Sequence, residues 1–192
     1  IQSSPENRIL FRETLFASDS MRDCIGGVIL FDETINQTSN NGKTIPAMIS
    51  ETGAVPGIKV DTGAKDLANS LDEKVTEGLD GLRERLKKYY ELGARFTKWR
   101  GVYSIGKKYP SKLAINSNAH ALARYSALVQ ESGMVPIVEP EVLMDGEHSV
   151  EDCLIKTSEV IQKCFEELIV HKIDLTGIIL KPNMILAGNK SK

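Results

Sequence analysis

The stretch Gly177-Ile178-Ile179-Leu180-Lys181-Pro182-Asn183-Met184 decides how the rest of the chain is interpreted. Its short apolar run predicts a buried strand, which brings one lysine to the end of the strand, just before a proline. An ammonium group in such a position is costly unless it is paired or loses its proton. A neutral lysine amine is a nucleophile toward carbonyl carbon. The segment therefore predicts either a surface lysine in a strand-to-loop turn or a reactive lysine, and the other strands decide between them.

Apolar runs and helical patterns alternate along the entire chain. Strands are predicted at 25–31, 57–61, 96–102, 135–142 and 177–184. Helices are predicted from a serine cap at Ser4 to about Ala17, at 79–92 and 115–132, and after a capping box that begins at Ser149. This alternation predicts an α/β domain with a parallel sheet, and the spacing of the strands fits either a barrel or a doubly wound sheet.

The composition is that of one globular domain, with 192 residues, 41% hydrophobic content, 26% charged content and a net charge of −2. Because both signs of charge are interspersed, nothing predicts a nucleic-acid or membrane surface. The sequence has neither an apolar run of membrane-spanning length nor a signal-peptide core. Its three cysteines have no metal-ligand spacing, which favours free thiols in a reducing compartment. We therefore expect a cytoplasmic protein.

Four of the predicted strands end in two polar residues at positions i and i+2, which point to the same face of a strand. The pairs are Lys59 with Asp61, Lys98 with Arg100, Glu139 with Glu141, and Lys181 with Asn183. One such pair is ordinary at a solvated strand end, but four in series along otherwise apolar strands are not. A barrel gathers the carboxyl ends of its strands around one axis, where barrel enzymes bind their substrates, so the pattern favours a barrel over an open sheet.

The chemistry of this predicted cluster follows from its side chains. Excess positive charge in a cleft suits an anionic substrate, and the planar fork of Arg100 suits phosphate. Repulsion from Lys98 favours the neutral form of Lys181. A neutral amine attacks a ketone to give an imine, whose protonated form withdraws electrons, and Glu139 and Glu141 can supply the proton transfers. The cluster therefore predicts Schiff-base chemistry on a phosphorylated sugar.

From about Glu6 to Gly188, the chain resembles the class I (Schiff-base) fructose-1,6-bisphosphate aldolases. The matching blocks include CIGGVILF at 24–31, GIKVD at 57–61, KWR at 98–100, VPIVEPE at 135–141 and LKPNM at 180–184. The resemblance implies a (β/α)8 TIM barrel, of which residues 1–192 form a single partial domain with about five central strands. It also implies a lyase of glycolysis and gluconeogenesis that cleaves fructose 1,6-bisphosphate reversibly to dihydroxyacetone phosphate and glyceraldehyde 3-phosphate. Such an enzyme is a homotetramer and needs no metal or other cofactor.

The resemblance also assigns a role to each site residue. It makes Lys181 the lysine that forms the Schiff base, and Lys98 the lysine that stabilises charge beside the imine. It makes Glu139 and Glu141 the carboxylates that transfer protons, with Glu139 as the main proton carrier in imine formation. It makes Lys59 and Arg100 the cations that hold the distal (C6) phosphate.

The chain departs from the family pattern in two respects. Thr176 stands where the family has a glutamate, but it precedes the active end of the strand, so we expect little effect on the chemistry. Nothing matches the family's first strand, which carries an aspartate for carbon–carbon cleavage, or its last two strands, whose loops hold the C1 phosphate. Because an incomplete barrel has open strand edges and an uncovered core, we expect these residues to be part of a longer polypeptide.

Two alternative functions remain open at this stage. One is a Schiff-base aldolase that acts on another phosphorylated sugar. The other is a non-catalytic binding role, since members of the family also bind cytoskeletal partners. The presence of Lys181 together with Lys98, Glu139 and Glu141 favours an enzyme, because a scaffold has no need of a buried lysine.

Several other residues are predicted to have structural roles. His120, His148 and His171 are each expected to stand alone, either packed by a ring face or exposed to solvent. Trp99 alternates with the charged residues of its strand, so it is expected to pack under a helix.

Overall fold

A computed structural model describes residues 2–191 of the chain. In chain order the strands are β1 (Gly27–Leu30), β2 (Val55–Lys59), β3 (Gly63–Asp66), β4 (Lys74–Glu77), β5 (Phe96–Tyr103), β6 (Val135–Val142) and β7 (Ile179–Leu180). The helices are α1 (Pro5–Phe16), α2 (Met21–Cys24), α3 (Asp32–Ile35), α4 (Ile45–Glu51), α5 (Leu82–Glu91), α6 (Lys112–Glu131) and α7 (Val150–Val170). A single turn of 3-10 helix at Leu175–Gly177 precedes β7.

The order of the strands distinguishes a barrel from a doubly wound sheet. The main sheet is entirely parallel and runs β1-β2-β5-β6-β7, whereas β3 and β4 form a separate antiparallel hairpin. A doubly wound sheet reverses its strand order at a switch point, and no reversal occurs among the described strands. Because crossovers between parallel strands share one hand, an order without reversal puts the connecting helices on one face, as in a barrel.

Strand β5 shows how the fold separates its core from its polar face. Its buried residues alternate with partly exposed ones, and the buried set is Thr97, Trp99, Gly101 and Tyr103. Trp99 is fully buried and its ring lies 5.3 Å from that of Tyr125 on α6, which confirms the predicted packing under a helix. The alternate residues Lys98 and Arg100 therefore point to the other face of the sheet.

The predicted elements agree closely with the observed ones in the middle of the chain. The predicted strand at 135–142 matches β6, and the predicted helices at 79–92 and 115–132 correspond to α5 and α6. By contrast, the predicted strand at 177–184 is reduced to two residues. This strand lies at the sheet edge with β6 as its one neighbour in the described sheet, and Pro182 has no N–H to continue the ladder.

The elements that were not predicted include the short helices α2 and α3, helix α4 and the β3–β4 hairpin. Helix α4 starts at a cap in which the Thr44 hydroxyl accepts a hydrogen bond from the Ala47 N–H at 3.3 Å. The β3–β4 hairpin lies in a polar stretch that has few β-branched residues, so its strands have no clear alternating signature. For α4 the sequence does carry a start signal, because Thr44 can cap the helix and Pro46 stands in its first turn.

The predicted capping box of α7 is confirmed. The Ser149 hydroxyl accepts a hydrogen bond from the Asp152 N–H at 3.0 Å, and the Asp152 carboxylate accepts one from the Ser149 N–H at 3.2 Å. Two N–H groups at the helix start are thereby satisfied, which stabilises the helix that leads toward β7.

We predict that Ser149→Ala lowers the free energy of unfolding by about 1 kcal/mol, because it removes an acceptor for the helix start. Urea unfolding followed by far-ultraviolet circular dichroism measures this change. The matched control is Ser158→Ala, at an exposed position in the middle of the same helix, where alanine favours helix formation. Equal losses in the two variants would contradict a specific capping role.

Candidate active site

The register of the parallel strands brings the predicted site residues together. In the backbone register, Lys59 at the end of β2 lies opposite Lys98 of β5, and Arg100 of β5 lies opposite Glu139 of β6. Lys181 directly follows β7, and its backbone N–H donates to the Val138 carbonyl at 2.9 Å. The predicted positions therefore meet across neighbouring strands, level with the carboxyl ends of β2 and β7.

The Glu139 carboxylate is the centre of the cluster. The residue is only 2% exposed, and its two oxygens face two different lysines. The Lys181 ammonium donates to Oε1 at 2.6 Å, and the Lys98 ammonium lies 2.9 Å from Oε2, at an angle that does not make a hydrogen bond. Two cations thus balance one buried carboxylate, and a proton can pass between Lys181 and Glu139 over a single hydrogen bond.

A second ion pair joins Lys59 to Asp61. The Asp61 side chain is 2% exposed, and Oδ1, which pairs with the Lys59 ammonium, also accepts from the Gly63 N–H at 3.0 Å. Its other oxygen lies 3.4 Å from the Arg100 N–H. Asp61 therefore both neutralises Lys59 and ties the end of β2 to β5, a role that the sequence did not reveal.

A third ion pair is more open. The Arg100 Nε–H donates to Glu141, and the two side chains are 41% and 26% exposed, respectively. Among residues 2–191, no hydrogen bond uses the two terminal nitrogens of Arg100. The guanidinium can therefore still offer two donors to an anion from solvent.

The environment of Lys181 differs from the predicted one. Its side chain is 54% exposed, so the ammonium is stabilised by Glu139 and by water rather than buried. Asn183, the predicted partner on the same face, is not part of the cluster. Its Oδ1 accepts from the Val142 N–H at 3.1 Å and its Nδ2 donates to the Thr157 hydroxyl at 3.0 Å. Asn183 thus fixes the chain after Lys181 against β6 and α7. The prediction that its side chain points to the same face as Lys181 was wrong.

The prediction that each histidine stands alone is wrong for two of the three. His120 of α6 and His171, just after α7, have ring centroids 5.0 Å apart in an edge-to-face arrangement. His148 is buried, as a packed ring would be. The pair was missed because its members are far apart in sequence and on different helices.

Known proteins similar to this chain indicate its family. The sequence model of the family described as "Fructose-bisphosphate aldolase class-I" matches residues 1–192. The chain is 48% identical to "Fructose-bisphosphate aldolase 6, cytosolic" of Arabidopsis thaliana over 191 residues, which is 100% of this chain and 53% of the relative. It is 50% identical to the "Probable fructose-bisphosphate aldolase class 1" of Xanthomonas campestris over 188 residues, covering 98% of this chain and 56% of that one.

A solved aldolase structure has the same fold as this chain. It is the fructose-bisphosphate aldolase of Plasmodium falciparum in complex with TRAP and a small-molecule inhibitor, which superimposes with a TM-score of 0.98 at 42% identity. The match covers 100% of this chain and 56% of that one. The predicted barrel architecture is thereby confirmed for the part that the chain contains. The chain spans about half the length of the curated relatives it matches.

No helix within residues 2–191 combines the length and the apolar character that a membrane span requires.

We predict that the two carboxylate anchors differ in their effect on stability. Asp61→Ala should lower the free energy of unfolding by about 3 kcal/mol or more, because it leaves Lys59 and two N–H groups without their buried acceptor. The matched variant Glu141→Ala should lower the free energy of unfolding by about 1 kcal/mol or less, since the ion pair of Glu141 is partly exposed to solvent. Urea unfolding of both variants measures the difference. A larger loss for Glu141→Ala would contradict the assignment of Asp61 as the structural anchor.

Proposed function

The chain belongs to the family of class-I fructose-bisphosphate aldolases, and we propose that its site performs their aldol cleavage through a Schiff base on Lys181. The substrate is fructose 1,6-bisphosphate, and the products are dihydroxyacetone phosphate and glyceraldehyde 3-phosphate. The observation that carries the proposal is the buried Glu139 carboxylate between Lys181 and Lys98, at 2.6 and 2.9 Å. A lysine, a proton acceptor within one hydrogen bond and a second fixed cation are the groups that imine chemistry requires.

Imine formation proceeds by proton transfers within this cluster. Lys181 first gives a proton to Glu139, and the neutral amine then attacks the C2 ketone to form a carbinolamine. Glu139 returns the proton to the C2 hydroxyl, which leaves as water and gives the protonated imine. The C3–C4 electron pair then moves toward the imine nitrogen to give an enamine, as Glu139, again a carboxylate, takes the proton of the C4 hydroxyl and the aldehyde leaves. Lys98 stabilises the negative charge that develops beside the imine.

Lys59 and Arg100 are proposed to hold the distal phosphate. Lys59 is the last residue of β2 and Arg100 lies within β5, and each already has a carboxylate partner, Asp61 or Glu141. A dianionic phosphate can use the free terminal nitrogens of Arg100 without breaking its bond to Glu141. Because Asp61 is fixed by backbone N–H groups, we expect the flexible Lys59 side chain to move toward the phosphate.

Residues 1–192 are proposed to form a single partial barrel domain. The two outer strands, β1 and β7, each have one neighbour in the described sheet, and apolar side chains are exposed on them. Such edges are stable when further strands cover them. We therefore expect the cleavage aspartate and the C1-phosphate loops, which the family resemblance implies, to come from additional chain. A mass of the purified protein near 21 kDa, together with full cleavage activity, would contradict this expectation.

The proposed setting of the enzyme rests on its relatives. We propose a cytosolic homotetramer, because the Arabidopsis relative is a cytosolic aldolase and the family resemblance implies a tetramer. The Plasmodium relative is in complex with TRAP, so partner binding by this chain is a further proposal. A purely non-catalytic scaffold is the weaker alternative, because such a role gives no reason to retain a carboxylate buried between two lysines.

We predict that borohydride reduction in the presence of fructose 1,6-bisphosphate attaches the sugar to Lys181. The hydride reduces the imine to a stable secondary amine, which peptide mass spectrometry locates. Lys181→Met should abolish the labelling, because the nucleophile is removed. The matched control Lys156→Met, which changes an outer lysine of α7 paired with Glu159, should leave it unchanged. Labelling at another lysine in wild-type protein would overturn the assignment.

We also predict that Arg100→Ala raises the KM for fructose 1,6-bisphosphate by roughly 10- to 100-fold, the effect of losing a charge-assisted contact worth about 1.5–3 kcal/mol. The KM for fructose 1-phosphate, which has no distal phosphate, should change little. The control Arg124→Ala alters an arginine of the outer helix α6 and should affect neither substrate. Equal effects of Arg100→Ala on both substrates would argue against a role in distal phosphate binding.

A further inference from the structure

A group of three potential metal ligands lies between helices α6 and α7. His120, Glu167 and His171 each offer one ligand atom, and these atoms all lie within 4.8 Å of one another. Glu167 and His171 are four residues apart at the end of α7, so they lie on the same side of the helix, and His120 approaches from α6. Because the three side chains belong to two helices, a bound ion would link α6 to α7.

The hydrogen bonds of this cluster define which atoms are available. His171 Nδ1 donates to the Glu167 backbone carbonyl at 2.9 Å, so its Nε2 keeps a free lone pair. His120 Nδ1 lies 3.2 Å from the Glu167 carboxylate. The His120 side chain is 54% exposed, so its ring can turn to present either nitrogen. A backbone carbonyl that orients an imidazole is a common arrangement around metal-binding histidines.

The charge of Glu167 also suits a cation. The hydrogen bond from Lys163 lowers the pKa of the Glu167 carboxyl, burial acts in the opposite direction, and the hydrogen bond with His120 lowers it further. The group is therefore a carboxylate at neutral pH. Lys163 is its competing cation, with an ammonium 3.0 Å from Oε1.

We propose that His120, Glu167 and His171 bind a divalent transition-metal ion, for which Zn²⁺ is the probe. Two imidazoles and one carboxylate match the preferences of Zn²⁺, Ni²⁺ and Cu²⁺, whereas Mg²⁺ and Ca²⁺ prefer all-oxygen ligands. Zinc ligands lie about 2.0–2.2 Å from the ion, so the three side chains must move closer than they are here. The exposed His120 and the flexible Glu167 can make this movement.

The proposed metal site is independent of the candidate active site. His171 follows the C-terminus of α7, and a helix that connects two parallel strands ends near the amino edge of the next strand. The lysine cluster lies at the opposite, carboxyl edge. A metal ion at His171 would therefore stabilise the contact between the two helices and take no part in the imine chemistry.

The test is a calorimetric titration of the protein with ZnCl₂. The Cys24→Ser background removes the exposed thiol, which could bind zinc by itself. We expect one ion per chain, and His120→Ala, His171→Ala and Glu167→Gln should each weaken binding by about tenfold or more. The matched control Glu166→Gln, which alters the neighbouring exposed carboxylate, should leave the affinity unchanged.

Two further measurements distinguish this site from non-specific binding. Lys163→Met should strengthen zinc binding, because the ammonium that occupies Glu167 is removed. Zinc should also raise the melting temperature of the parent protein and fail to do so in His171→Ala, since binding to the folded state alone stabilises it. Zinc affinity that is unchanged in both histidine variants, or the absence of heat in the parent protein, would overturn the proposal.

Discussion

The arrangement of this protein depends on one buried carboxylate that must be balanced by charges from two other strands. An unpaired charge in a protein interior costs several kcal/mol, and Glu139 is almost fully buried on strand β6, which lies between β5 and β7. Its two oxygens are met from opposite sides by Lys98 of β5 and by Lys181, which follows β7. This pairing requires that β6 lie between the other two strands, and the parallel register brings Lys181 level with Glu139. The stability of the sheet and the chemistry of the site thus depend on the same strand order.

The ion pairs formed by Asp61 and Glu141 differ in how firmly they are held. Asp61 is fixed by two backbone N–H groups, so it keeps the end of β2 in place whatever Lys59 does. Glu141 has no such anchor among the described hydrogen bonds, and its arginine is partly exposed. The rigid anchor therefore preserves the shape of the site, and the more open pair leaves donors available to a ligand. This combination of fixed and adjustable charges limits the reorganisation that binding requires.

The sequence predicted those features that a local pattern encodes. Strand β1 was found because a continuous apolar run is typical of a strand covered on both faces, and α7 because its capping box is a contiguous signal. The convergence of Lys98, Glu139 and Lys181 could also be predicted, since parallel strands place their carboxyl ends at one edge. The approach of His120 to His171 could not, because it depends on how two helices pack. The exposure of Lys181 was wrongly predicted because the short β7 lies at a sheet edge, where water reaches the side chain.

That exposure has a consequence for the nucleophile. In the structure Lys181 donates a hydrogen bond to Glu139, and an ammonium in this state cannot attack a carbonyl. Water around the half-exposed side chain stabilises the charged form of the pair. A substrate that covers Lys181 removes this water, which makes the neutral pair, amine and carboxylic acid, easier to form. In the proposed mechanism this shift occurs only when the substrate is bound, so the neutral amine forms where a ketone is present to accept it.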